Sequence, residues 1–401
     1  MEENIHNYAR RLSQSLKRLD NSEIISQENK SKIKEFHLNC VAEGLSTGRT
    51  ERYVYILKHI AELMKKDFIS TDKGDIISLM QEIESMQYKA WTKQLYRVTL
   101  KKFYTWLRQS KECPDEVNWL RSSVKINETK LPEELLTPED IKNMIEKANN
   151  PRDKALISLL YESGCRIGEI AMLRIRAVAF DKYGAVVSVS GKTGSRRVRL
   201  INSVPYIALW IAQHPQREDP SAYIWLNFNF KKEYRPVQYG LLCKLIKQIA
   251  REAGIKKRIY PHLFRHSRAT YLANFMTEAQ MKNYFGWVQA SKMASIYVHL
   301  SGKEVDEVLL KINGVKIDET EKSIDREALK PKTCVRCSVV NPATGKFCQR
   351  CGMALELKAI IESEDERKKA DETMNKLVKD PEVLALLQKK LEFMQAGEIH
   401  G

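Results

Sequence analysis

The stretch "TERYVYILKHIAELMKKD" sets Tyr53, Ile56, Leu57, Ile60 and Met64 three or four residues apart, which draws one apolar stripe down a 3.6-residue helix. "KQLYRVTLKKFYTWLRQS" repeats the pattern with Tyr96, Leu100, Phe103 and Leu107. A chain written in this period must bury helix faces against one another. The period changes clearly once, where the β-branched runs "AVVSVS" and "RRVRLI" flank "GKTGS", and a glycine-containing connection between two such runs predicts a β-hairpin. The expected fold class is therefore mainly α with a small antiparallel β-hairpin or sheet (α+β).

Residues 1–125 are expected to form one helical domain. The polar, proline-containing segment 126–138 suits a linker, and "LTPED" suits a helix start with Thr137 as N-cap and Pro138 in the first helical position. A second domain is expected over 139–315, a small cysteine module over 331–354, and a helical tail over 355–401, whose last helix opens at Pro381 and carries Val383, Leu384, Leu387, Leu391 and Met394 along one stripe. No run of about 18 apolar residues occurs, and "MEENIHNYARRLSQ" contains no apolar signal core. The expectation is a cytoplasmic protein with no membrane partner.

Charge narrows the partner. The chain carries a net +16, and residues 151–300 hold 24 Lys and Arg against 9 Asp and Glu, an excess of fifteen in that region alone. Positive charge concentrated in this way is the footprint of a polyanion site, of which nucleic acid is the commonest; an evenly solubilising basic surface would spread it.

Four of the eight cysteines, Cys40, Cys113, Cys165 and Cys243, are scattered singly and read as small core residues. The other four, Cys334, Cys337, Cys348 and Cys351, form C-x₂-C-x₁₀-C-x₂-C. Two such turns can present four thiolates to one tetrahedral cation, which predicts a structural Zn²⁺ in a zinc ribbon. With every position filled by cysteine, none is left for activating water.

"YPHLFRHSRAT" packs His262, Arg265, His266 and Arg268 into one short stretch. Unpaired charge is too costly to desolvate for such a segment to be plain core. "YESGCRIGEIAML" adds Arg166 and Glu169, "GKTGSRRVRL" adds Lys192, and "NYFGWVQASKMASIYVHL" adds Trp287 and Tyr297. Singly, each is most often a surface ion pair, a solvated lysine or a core aromatic. Together and in this order they resemble the tyrosine recombinase (integrase) family: the motif set spans roughly residues 130–300, and the helical N-terminal region is similar in placement to that family's core-binding, SAM-like DNA-binding domain. The zinc ribbon and the phrasing around Trp287 look most like integrases of archaea and their mobile elements. Trp287 and Tyr297 stand ten residues apart, one more than the family usually shows, so the helix carrying Tyr297 should begin after an extended turn.

The resemblance implies Arg166, Lys192, His262, Arg265, Trp287 and Tyr297 as catalytic residues. Arginine pairs have the planar fork for the non-bridging oxygens of a phosphodiester. His262 would assist as base toward the tyrosine, Lys192 would donate to the departing 5′ oxygen, the Trp287 indole N–H would bond the phosphate, and Tyr297 would become a covalent 3′-phosphotyrosine. Glu169 would orient Arg166, His266 would pack or hydrogen-bond behind the site, and Arg268 would pair with phosphate or a carboxylate. The function implied is site-specific recombination of double-stranded DNA by a tetramer through a Holliday junction, with no ATP and no catalytic metal; the protein could be monomeric off DNA. A type IB topoisomerase-like activity and an inactive zinc-ribbon DNA-binding regulator are the competing readings.

Overall fold

The computed structural model describes residues 5–123, 134–191, 194–227, 234–300, 313 and 328–397, with backbone alone over 298–300 and 391–397. Lys192, most of the expected linker, and the side chains of Leu391 and Met394 lie outside the described residues. Two compact units divide at Lys130 and Leu131.

The first unit is helical throughout its described residues: α1 (Tyr8–Asp20), α2 (Gln27–Ala42), α3 (Thr47–Met64), α4 (Lys73–Ser85), α5 (Ala90–Leu107) and the single turn α6 (Asp115–Asn118). The predicted stripes bury as expected. Tyr53, Ile56, Leu57 and Ile60 of α3 share one core with Tyr96, Leu100 and Phe103 of α5, while Met64 and Leu107 pack at its margin. Phe103 meets Phe36 edge-on at 5.3 Å and Phe68 at 4.9 Å between ring centroids, the geometry aromatic quadrupoles favour.

The second unit holds α7 (Pro138–Lys147), α8 (Pro151–Ser163), α9 (Ile167–Ala171), α10 (Val204–Ala212), α11 (Tyr239–Glu252), α12 (Pro261–Ala273), α13 (Glu278–Phe285) and α14 (Met293–Leu300). Thr137 caps α7 by accepting the Asp140 N–H, and the Asp140 carboxylate answers on the Thr137 N–H, a capping box behind Pro138. At the centre runs α8, buried at every position from Ala155 to Ser163; α7, α10 and α12 pack around it.

Strands β1 (Val178–Asp181), β2 (Gly184–Gly191) and β3 (Gly194–Leu200) form an antiparallel sheet in that order, with Val187 opposite both Val178 and Val198. The sequence predicted β2 and β3. Strand β1 escaped because three of its four residues are exposed and leave no alternation to read. A two-residue pairing of β4 (Leu226–Asn227) with β5 (Arg235–Pro236) completes this part.

The cysteine module pairs β6 (Lys332–Thr333) with β7 (Val340–Asn341), and Tyr206 of α10 anchors it: the Tyr206 hydroxyl lies 2.9 Å from the Thr344 hydroxyl and accepts the Thr344 N–H at 3.2 Å. Beyond it, α15 (Leu357–Val378) and α16 (Pro381–Gly397) follow one another with nearly every described side chain exposed, Leu384, Leu386 and Leu387 among them.

Candidate active site and cysteine cluster

Gly164 ends α8 in the left-handed region, φ 55°. A Cβ there would lie 2.5 Å from the Phe285 ring, so only glycine permits both the turn and the close approach of α13. The chain leaves that turn through Cys165 and presents Arg166 as the N-cap of α9. One turn on, Glu169 is buried and accepts the Arg166 N–H at 2.8 Å and its Nη1–H at 2.9 Å.

A residue the motif reading missed shares this carboxylate. Arg196 of β3 donates from Nη1 to Oε1 at 3.0 Å and from Nη2 to Oε2 at 2.9 Å, and from Nε to the Tyr284 carbonyl at 3.0 Å. The signal was present in the alternation: in "RRVRL", Arg196 shares a strand face with the buried Val198 and Leu200, whereas Arg197 and Arg199 are the other parity. Burial alone would raise the Glu169 pKa, but the hydrogen bonds and charges of Arg196, with those of Arg166, outweigh it and hold the group at about 2.

Residues His262, Arg265 and His266 sit three and four apart on α12, within one helical face. Arg265 is 2% exposed, and its partners are uncharged carbonyls: Nη1 donates to Gly164 at 3.0 Å and Nη2 to Phe285 at 2.6 Å. The guanidinium also lies over the Phe285 and Trp287 rings, 5.1 and 5.4 Å from their centroids, where the ring faces attract it. Burial, and next the neighbouring Arg166 charge, depress its pKa to about 10. It remains a cation at neutral pH, but a poorly solvated one, and an anion placed between the two arginines would relieve it.

Gly286 to Lys292 make the extended turn expected before the tyrosine helix, which begins at Met293. Tyr297 is buried, its ring parallel to Trp287 within 4° at 5.4 Å between centroids. Its hydroxyl meets His266 Nδ1 at 2.5 Å, so the histidine bonded to the phenol is His266, while His262 is exposed and packs edge-on against His266 at 4.5 Å. Burial, partly offset by Arg265, pushes the Tyr297 pKa up to about 12; the phenol is protonated at neutral pH. Arg268, expected to pair with phosphate or a carboxylate, faces the protein interior instead: its Nε donates to the Glu162 carbonyl at 3.0 Å and its guanidinium lies over the Tyr161 and Tyr271 rings.

In the cysteine module, Cys334 and Cys351 Sγ lie 3.6 Å apart and Cys337 and Cys348 Sγ 3.5 Å apart, with all four sulfurs within 4.8 Å of one another. A disulfide needs about 2.05 Å, whereas four thiolates around one zinc at about 2.3 Å stand roughly 3.8 Å apart. The donor set therefore fits a tetrahedral cation. Buried Asn341 braces it, donating to the Val339 carbonyl at 2.8 Å and accepting the Gln349 N–H at 3.0 Å.

Residues 134–304 match the phage integrase family. Tyrosine recombinase XerA of Pyrococcus horikoshii is 26% identical over 250 residues, covering 61% of this chain and 80% of that protein, and its namesake in Pyrococcus furiosus is 23% identical over 286 residues, covering 70% and 93%. Among solved structures, the XerH site-specific recombinase in a post-cleavage complex with palindromic difH substrate shares the fold with a TM-score of 0.53 at 16% identity, over 77% of this chain and 97% of that one. A lambda integrase dimer bound to a COC′ core site gives 0.53 at 15% identity, over 68% and 78%. Residues 134–304 thus form a phage integrase domain, and the curated relatives that span it are tyrosine recombinases.

Proposed function

We propose that this protein breaks and rejoins double-stranded DNA at a specific site through a covalent 3′-phosphotyrosine on Tyr297. The observation that carries the reading is a buried phenol within the electrostatic reach of Arg265, a buried cation bonded only to carbonyls among the contacts described above, beside Arg166. The Tyr297 oxygen attacks the scissile phosphorus, a P–O bond to tyrosine forms, and the bond to the 5′ oxygen breaks. Arg166 and Arg265 neutralise the non-bridging oxygens as charge grows on them. The phenolic proton passes to His266 Nδ1, 2.5 Å from the hydroxyl, with the His262 ring packed edge-on against that imidazole; Lys192 protonates the departing 5′ oxygen, and Trp287 bonds the phosphate. Because the phosphotyrosine keeps the energy of the broken bond, rejoining requires no ATP.

Site-specific exchange by a tetramer through a Holliday junction, and a DNA-associated place in the cytoplasm, belong to the same reading, which the phage integrase match supports. Among the described residues no helix is long and apolar enough to cross a membrane. The four cysteines would hold a structural Zn²⁺ that ties the two turns of the ribbon together, and Tyr206 of α10 anchors that ribbon through Thr344. The test begins with duplexes selected by binding from a random-sequence library. Two such duplexes of different length, incubated with the protein, should yield recombinant lengths and a four-way intermediate. Relaxation of supercoiled DNA without any exchanged product would favour a topoisomerase; binding without any cleavage would favour the inactive regulator.

A further inference from the structure

Arg196 is the third guanidinium at this site and the one with no role in the reaction as set out above. A guanidinium has five N–H donors. Those of Arg196 reach Glu169 Oε1, Glu169 Oε2, the Tyr284 carbonyl and, at 3.2 Å, the Cys165 sulfur. Its side chain is 11% exposed, so it is built into the protein rather than offered to a ligand. Arg166 touches the same carboxylate through a single side-chain nitrogen and is 32% exposed.

The difference matters electrostatically. Glu169 is a buried anion beside the residue that must attract an anionic phosphate. Were Arg166 its only cationic partner, the pair would be neutral and Arg166 would have little charge to give. With Arg196 taking both carboxylate oxygens, the cluster of Arg166, Arg196, Arg265 and Glu169 keeps a surplus of two positive charges, which matches the two negative charges of a pentacoordinate phosphorane.

We propose that Arg196 is a positioning residue for strand cleavage: it satisfies Glu169 through a two-oxygen pair, so that Glu169 orients Arg166 without neutralising it. The inference rests on the proposed role of Arg166. It predicts an unusual pattern of rescue, because the harm done by losing Arg196 comes from the carboxylate left behind.

The experiment measures covalent adduct formation on a nicked duplex selected by binding, together with affinity by fluorescence anisotropy, using the full chain. Wild-type protein and Tyr297→Phe are the controls; if wild type forms no adduct on Tyr297, the reading of the site fails and this inference fails with it. Given a competent wild type, Arg196→Gln should slow cleavage by about 100-fold with affinity changed by less than about threefold. The double variant Arg196→Gln/Glu169→Gln should recover at least about tenfold of that loss, and Arg196→Lys, which keeps the charge but not the two-oxygen geometry, should lose roughly tenfold. A purely structural contact gives no such recovery. If Arg196→Gln does not fold, the double variant is compared with Glu169→Gln, and the two should cleave within about fivefold. The proposal is overturned if Arg196→Gln cleaves within about threefold of wild type, if the double variant is no faster than Arg196→Gln, or if, in the fallback comparison, the double variant falls far below Glu169→Gln.

Discussion

Arg265 concentrates the electrostatic cost of the site. Its charge is buried against two carbonyl dipoles and two ring faces, and none of these replaces an anion. Lysine at this position could not hold both carbonyls and also face a phosphate, so Arg265→Lys should lower adduct formation by about 100-fold or more while DNA affinity falls only a few-fold; near-normal cleavage would contradict the clamp. Glu169 sets a pH dependence. Its folded-state pKa of about 2 lies below the ordinary value of 4.5, so its contribution to stability is whole above about pH 4.5 and is lost as pH falls toward 2. The loss amounts to about 3 kcal/mol. Denaturant titrations between about pH 5 and 2 should show this slope in wild type and a flatter one in Glu169→Gln. The motif residues were singled out in the sequence by their resemblance to a family's ordered set, since taken singly none of them carries a local signal. The His266 bond to Tyr297 was not, since it joins two helices 31 positions apart and nothing local distinguishes which of two histidines one turn apart will face the phenol.

Helix α8 and the turn that ends it place Arg166, and the turn depends on Gly164. Alanine there would adopt a left-handed conformation and drive a methyl into Phe285. Gly164→Ala should therefore destabilise the second unit by more than about 1 kcal/mol and cut cleavage further than the stability loss explains, as read by thermal unfolding and adduct formation on the same preparation. Full stability and full activity would show that the turn relaxes at no cost. At this scale the sequence was informative where a pattern was local. The capping box at Thr137 and the strands on either side of residue 192 follow from residues within a few positions of each other. Strand β1 does not, and neither does the contact of Tyr206 with Thr344, which spans 138 positions. Arg196 lies between these cases: strand alternation placed it on the inner face, but only the fold brought Glu169 to meet it.

Across the whole molecule, the fifteen excess positive charges of residues 151–300 fall inside the 134–304 family match, so composition alone marked the same part of the chain as the family comparison did. The cysteine module lies outside that match, and its four sulfurs cluster with one another rather than with Arg166 or Arg265. One zinc per chain should be found by native mass spectrometry, Cys348→Ser should lose it, and cleavage by the zinc-loaded protein should persist in excess chelator added before DNA. The account rests above all on Tyr297 as nucleophile, and the most direct measurement is to trap the protein on a nicked suicide duplex, digest the adduct and identify the modified residue by mass spectrometry. The predicted result is a 3′-phosphoryl nucleotide on Tyr297, absent in Tyr297→Phe at nearly unchanged DNA affinity; an adduct on Tyr284 or another residue, or a fully active Tyr297→Phe protein, would contradict it.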